Sequence, residues 1–169
     1  MDVPLDVAAA ITAKKAMYGR FLDTKQWDKL QELVVLPDCE FLFLDQQKKP
    51  MLAGSKPLIY SNSAEFVKGL SGVMNMGDTQ HLFGAGQFSF TTKNRDEVSA
   101  IWALQDTMII RNTFGLVEVS GGGYYYETWK LVDGQWYMKS LRLERTFSRN
   151  SVIASLFALL GRFGLLPEV

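Results

Sequence analysis

The chain has 169 residues, 47% apolar and 21% charged, with 18 basic and 18 acidic side chains that cancel. That length suits one domain with a packed core and room for a cavity, and a neutral chain without a long basic run lacks the clustered Lys/Arg that nucleic acid demands. One cysteine (Cys39) and one histidine (His81) exclude an intramolecular disulfide and the N/S ligand set of a structural zinc site.

The opening "MDVPLDVAAA" is acidic where a signal peptide would be basic. Residues 5 to 22 then place Val7, Ile11, Lys14/Lys15, Tyr18 and Phe21/Leu22 at roughly helical spacing in an Ala-rich segment, which predicts a first helix. "DTKQWDKLQELV" predicts a short second helix with an apolar face of Trp27, Leu30, Leu33 and Val34, capped by Asp23 or Thr24 and ended by Pro37 and Asp38. "CEFLFLD" (39–45) is a compact strand, "QQKKPMLAGSKP" a polar turn with an edge segment, and "SNSAEFVKGLSGVM" a third helix with Asn62 and Glu65 in capping-box spacing.

Beyond it the period shortens. "HLFGAGQFSFTT", "DEVSAIWALQDTMIIR", "GGGYYYETWKLVDG" and "QWYMKSLRLERTFS" predict four strands in a meander, joined by turn chemistry in "TTKNRDE" and "VDGQ". Gly84 and Gly86 suggest a bulge or sharp bend, and the "GGG" at 121–123, which neither opens a helix nor precedes a lysine, is also read as a bulge. Helices gathered on one face of a curved antiparallel sheet make an α+β architecture, with residues 1–169 expected to form a single domain. The last apolar-rich run, "SVIASLFALLGRFGLL" (151–166), is too short for a bilayer and carries Arg162. It is expected to be a helix serving as lid or oligomer interface. A cytoplasmic protein without stable membrane insertion follows as the expectation.

Strand alternation sorts the candidates for chemistry. On 98–110 one face carries Trp102, Leu104, Asp106, Met108 and Ile110. Facing inward, Asp106 must be paired or hold its proton, so it could act as general acid or bind His81 or an Arg; a register slip would instead leave it exposed. On the next strand Gly123, Tyr125, Glu127 and Trp129 share a face, from which Tyr125 could donate to a substrate oxygen and Glu127 act as acid or base. On the last strand Leu141, Leu143 and Arg145 share a face; Arg145 could neutralise Glu127 or bind an anion, though a solvated strand-end Arg is the simpler reading. His81 is either a general base or a strand-end histidine bonded to a backbone carbonyl.

Three stretches in this order, "YGRFLDTKQWDKLQELVVLPDCEF", "TQHLFGAG" and "GGGYYYETWKLVDGQWYM", resemble the SnoaL-like members of the NTF2-like superfamily, and the middle one resembles its scytalone dehydratase branch. The resemblance covers nearly all of residues 5 to 148. It implies a cone-shaped sheet around a long helix with a ligand pocket in its mouth. It also implies cofactor-free chemistry on small polycyclic metabolites, although the superfamily includes binding modules. His81 falls where that branch keeps a catalytic histidine, and Asp23 where an Asp partners it. A second histidine of the branch is Met108 here, a pocket tyrosine is Phe43, the tyrosine before the Asp is Leu22, and a Ser/Asn pair becomes Gly123 and Tyr125. Scytalone dehydration itself is therefore not the expected reaction.

The expectation is a cofactor- and metal-free enzyme of secondary metabolism, an isomerase, cyclase or dehydratase-like lyase catalysing acid/base isomerisation, cyclisation, rearrangement or dehydration. Its substrate would be a polycyclic polyketide, terpenoid or alkaloid intermediate, and its assembly a homo-oligomer (dimer or trimer). Catalysis is placed on His81, Asp23, Asp106, Glu127 and Tyr125. The substrate-binding wall is placed on Tyr18, Phe43, Phe83, Trp102, Leu104, Met108, Leu143 and Arg145. A non-catalytic binding or dimerisation module, or a pericyclase that templates its substrate, are the alternatives.

Overall fold

The computed structural model describes residues 3–153. Nearly all of the C-terminal helix expected over 151–166 lies outside the described residues. Three helices come from the first half, α1 (Leu5–Asp23), α2 (Trp27–Leu33) and α3 (Ser63–Met74). The main sheet holds β1 (Val35–Leu44), β4 (Ile59–Tyr60), β5 (Gly77–Phe90), β6 (Glu97–Ile110), β7 (Glu118–Val132) and β8 (Gln135–Asn150), while β2 (Leu52–Ala53) and β3 (Lys56–Pro57) form a separate small hairpin.

The strand order is β4-β1-β8-β7-β6-β5. The meander β5 to β8 is antiparallel throughout, as its short turns require; the β7–β8 turn is a two-residue Asp133-Gly134 loop with both residues at positive φ. β1 joins β8 in parallel, so the sheet is mixed. The long crossover that parallel pairing needs is the stretch containing α3 and most of the meander.

α1 buries Ile11, Lys15, Tyr18 and Leu22, a stripe at helical spacing, and packs on β5 and β8. Its final residue is Asp23, and this corrects one expectation. Asp23 is not the cap of α2, whose N-cap is Gln26 with no side-chain cap bond; Lys25 at φ 58 turns the chain between the helices. Pro37 and Asp38 do not follow the helix as a terminator either. They lie in β1 where its register with β8 slips between Val35 and Glu40, a place where a missing N–H is tolerated. At α3 the Asn62 side chain accepts from the Glu65 amide at 2.8 Å, and Glu65 returns to Ser61, one residue earlier than an ideal box.

The bulge expected at Gly84 and Gly86 is present, where the register of β5 slips between Phe83 and Gly86; the one expected at 121–123 lies instead in β8, which carries the extra residue opposite the step from Gly122 to Gly123. A Cβ on Gly123 would sit 2.2 Å from the Glu144 carbonyl oxygen, so no side chain fits where β8 crosses so closely. Among the described residues no helix is long and apolar enough to cross a membrane.

Candidate active site

A cavity of about 480 Å³ lies between the concave face of the sheet, α1, α3 and the β2–β3 hairpin. Tyr18 and Leu22 enter from α1, and Phe43 from β1. Thr79 and His81 come from β5, Asp106 and Met108 from β6, Tyr125 from β7, and Leu143 and Arg145 from β8. Leu70, Val73 and Met74 of α3 and residues 51 to 54 close the far side, so polar groups occupy one wall of an otherwise apolar space.

On that wall His81 and Asp23 form a dyad. His81 Nδ1 lies 2.6 Å from Asp23 Oδ1, and the His81 backbone N–H donates to Asp23 Oδ2 at 2.9 Å. The Thr79 hydroxyl donates to Oδ1 at 3.0 Å and is itself held by Lys25 Nζ at 2.7 Å. Burial alone would raise the proton affinity of Asp23. The hydrogen bonds and charge of His81, with the Thr79 bond, outweigh it and hold the carboxyl below its ordinary 3.8. An ionised Asp23 requires Nδ1 to carry a proton, which leaves the Nε2 lone pair of the neutral ring free of Asp23.

Opposite His81 in the β5–β6 register stands Asp106. Its even-numbered face does turn inward, and Asp106 is neither exposed nor bonded to His81. Arg145 holds it through two bonds, Nη1 to Oδ1 at 2.8 Å and Nη2 to Oδ2 at 2.7 Å, with the side chains only 12% and 15% exposed. The reading of Arg145 as a solvated strand-end residue is thereby corrected. The bulge in β8 adds Thr146 opposite the glycine step and sets Arg145 against Gly123 inside the sheet. Arg145 Nε and the fully buried Tyr18 hydroxyl have no hydrogen-bond partner among the described residues. Burial raises the proton affinity of both Tyr18 and Tyr125, so both phenols are donors at neutral pH.

Four of the expected site residues are placed elsewhere. Glu127 faces inward as alternation required, but it does not line the cavity and is not neutralised by Arg145. Lys15 fills the space in front of it and pairs with its Oε1, while Oε2 accepts from Trp102 Nε1 at 2.7 Å and Trp129 Nε1 at 2.9 Å. Trp102 is therefore a core residue anchoring Glu127 rather than a wall for a ring system, and Leu104 is likewise packed in the core. Phe83 lies one layer behind the cavity, its ring centroid 6.4 Å from Tyr18, 6.0 Å from Tyr125 and 6.4 Å from His81. Asp23, Asp106, Tyr125, Tyr18, Phe43, Met108, Leu143 and Arg145 are assembled at or directly behind the wall around His81. Sequence reading missed Thr79 as a member of this wall and Lys15 as the group buried behind it. A lysine in the Ile11–Tyr18–Leu22 stripe was the available signal for Lys15.

A mixed sheet curved over N-terminal helices, with a His–Asp pair at the edge of a largely apolar cavity, is the α+β architecture of the NTF2-like class. The chain belongs to the SnoaL-like domain family, whose model matches residues 4–142. A protein of Gibberella zeae named a probable cyclase is 34% identical over 147 residues, which span 87% of this chain and 96% of that protein. Among solved structures, a candidate scytalone dehydratase of Novosphingobium aromaticivorans superposes with a TM-score of 0.71 at 20% identity, covering 86% of this chain and 88% of its own. A hexachlorocyclohexane dehydrochlorinase of Novosphingobium barchaimii does so with a TM-score of 0.68 at 15% identity, covering 88% and 92%.

Proposed function

We propose that the protein is a cofactor-independent enzyme of secondary metabolism that cyclises or isomerises a polycyclic polyketide, terpenoid or alkaloid intermediate by moving a proton. The observation that carries this reading is the 2.6 Å contact between His81 Nδ1 and the low-pKa Asp23, on the wall of an apolar cavity. Asp23 holds the ring in one tautomer and stabilises the imidazolium that forms when Nε2 takes a proton from substrate carbon. Tyr125 and Tyr18 donate to the substrate oxygen on which charge collects, and the Asp106–Arg145 pair lends its fixed dipole to the same wall. The apolar α3 and hairpin side excludes water from the reactive intermediate. The Gibberella zeae relative, matched over 96% of its length, supports cyclisation as the reaction class. The names of the two structural neighbours, a dehydratase and a dehydrochlorinase, denote eliminations, in which a proton is also lost from substrate.

The test is turnover of a panel of such intermediates by the purified protein in D2O. An isomeric or cyclised product carrying deuterium at the reacting carbon supports proton transfer. Catalysis without deuterium uptake, insensitive to His81→Gln, would identify a pericyclase. Tight binding of panel members without turnover would identify a binding module.

A further inference from the structure

Beneath the cavity wall lies a charged group that the proton-transfer scheme leaves unused. Lys15, on the buried stripe of α1, is 1% exposed. Its ammonium sits 4.4 Å from the centroid of the Tyr18 ring, 4.0 Å from that of Tyr125 and 4.2 Å from that of Phe83, and Glu127 closes the remaining side. Glu127 meets three donors, Lys15 and the indoles of Trp102 and Trp129, and it is the ammonium that contacts the ring faces, although the carboxylate is near enough to raise the proton affinity of both phenols. A buried ion pair of this kind is a weak stabiliser, because desolvating two charges offsets their attraction and an apolar pair would pack as well. Its location is more telling. Two of the three caged rings are phenols that line the cavity, and their hydroxyls interact with each other, although that of Tyr18 makes no hydrogen bond of ordinary geometry among the described residues.

We propose that Lys15 is a positioning residue of this site: its ammonium, clamped by Glu127 against the faces of Tyr18 and Tyr125, fixes both rings and draws electron density from them, so that their hydroxyls meet a ligand oxygen as strengthened donors. A cation on a ring face is attracted by the π-density, and in the protein interior its field on the attached O–H is screened less than it would be in water. Phe83 completes the cage and adds no donor. Burial opposes the charge on Lys15 and lowers its proton affinity, while the charge and hydrogen bond of Glu127 pull the other way and hold the ammonium in place. The ligand chemistry that profits is a carbonyl or similar acceptor oxygen on an otherwise apolar ring system.

The proposal rests on the reading that the cavity takes an oxygen-bearing polycyclic substrate, but its test measures binding rather than turnover, so either can fail alone. The probes are α-tetralone and tetralin, two bicyclic rings that differ by the carbonyl. Their dissociation constants are measured on wild type, on Lys15→Met/Glu127→Gln and on Lys15→Gln/Glu127→Gln, neither of which leaves a lone buried charge. Wild type should prefer α-tetralone, and the preference should fall about tenfold in both variants while tetralin binding stays within about twofold. Equal weakening of both probes, an unchanged preference, or no preference in wild type would overturn the proposal. Should neither variant fold, wild type alone decides: the carbonyl stretch of bound α-tetralone should lie below its frequency in methanol, and a frequency at or above that value refutes it.

Discussion

Replacing Asp23 with Asn keeps the shape of the dyad and removes its charge. The His81 backbone N–H is fixed in β5 and donates to Oδ2 at 2.9 Å, so the single oxygen of Asn must stay there. The amide nitrogen then occupies the Oδ1 position, 2.6 Å from Nδ1, where a donor now faces the ring. Nδ1 must become the acceptor and the proton moves to Nε2, which can no longer act as a base. By the behaviour of Ser-His-Asp triads, the expected loss is about 10³- to 10⁴-fold in kcat. Loss of the charge-assisted bonds should cost about 1.5–3 kcal/mol of stability. Because His81 is the only histidine, a ¹⁵N-histidine-labelled sample reports one imidazole without assignment. Two-bond ¹⁵N–¹H correlations should show the Nδ1–H tautomer in wild type and the Nε2–H tautomer in Asp23→Asn. A variant that keeps the Nδ1–H tautomer, or that keeps full kcat with the inverted one, would refute the reasoning.

Other outcomes follow from the same geometry. Arg145→Met leaves Asp106 buried beside the cavity without its partner and should cost about 2–4 kcal/mol by urea unfolding, most of it recovered in Arg145→Met/Asp106→Leu. Glu127→Leu strands the Lys15 ammonium and should cost about 3–5 kcal/mol, most of it recovered in Lys15→Met/Glu127→Gln, which keeps an acceptor for the Trp102 and Trp129 indoles. Asp23 has a folded-state proton affinity below its ordinary 3.8, so the stability it contributes is complete above that value and lost as pH falls through the lower one. Urea midpoints measured between about pH 5 and pH 3 should show this component in wild type and not in Asp23→Asn. Gly123→Ala must push the β8 backbone away from a 2.2 Å clash and should cost about 1–3 kcal/mol by the same assay.

Element order was readable because periodicity changes sharply after α3, from the 3.6-residue stripe of Phe66, Leu70 and Met74 to the two-residue alternation of β6. The parallel pairing of β1 with β8 was not readable, since nothing local to "CEFLFLD" records which strand lies beside it 100 residues later. Alternation placed Asp106, Tyr125 and Glu127 on inward faces. It could not show that Lys15 would reach Glu127 first, or that a bulge at Thr146 would bring Arg145 to Asp106, because both depend on tertiary distance. Asp23 in the sequence suits either a helix cap or a histidine partner, and the structure gives it to His81: α1 runs to Asp23, and its carboxylate turns toward β5 instead of the next helix. The aromatics divided for a similar reason. Trp102, on the inward face of β6, found Glu127 for its indole N–H and left the cavity to Tyr18, Phe43 and Tyr125.

The central claim is that His81 Nε2 accepts the proton in the reaction. Its most direct test is kcat for His81→Gln against wild type, on the panel substrate that wild type turns over, with thermal unfolding recorded for both. The account predicts a loss of about 10²- to 10⁴-fold at neutral pH with the fold retained. A folded His81→Gln protein whose kcat stays within about twofold of wild type would contradict it.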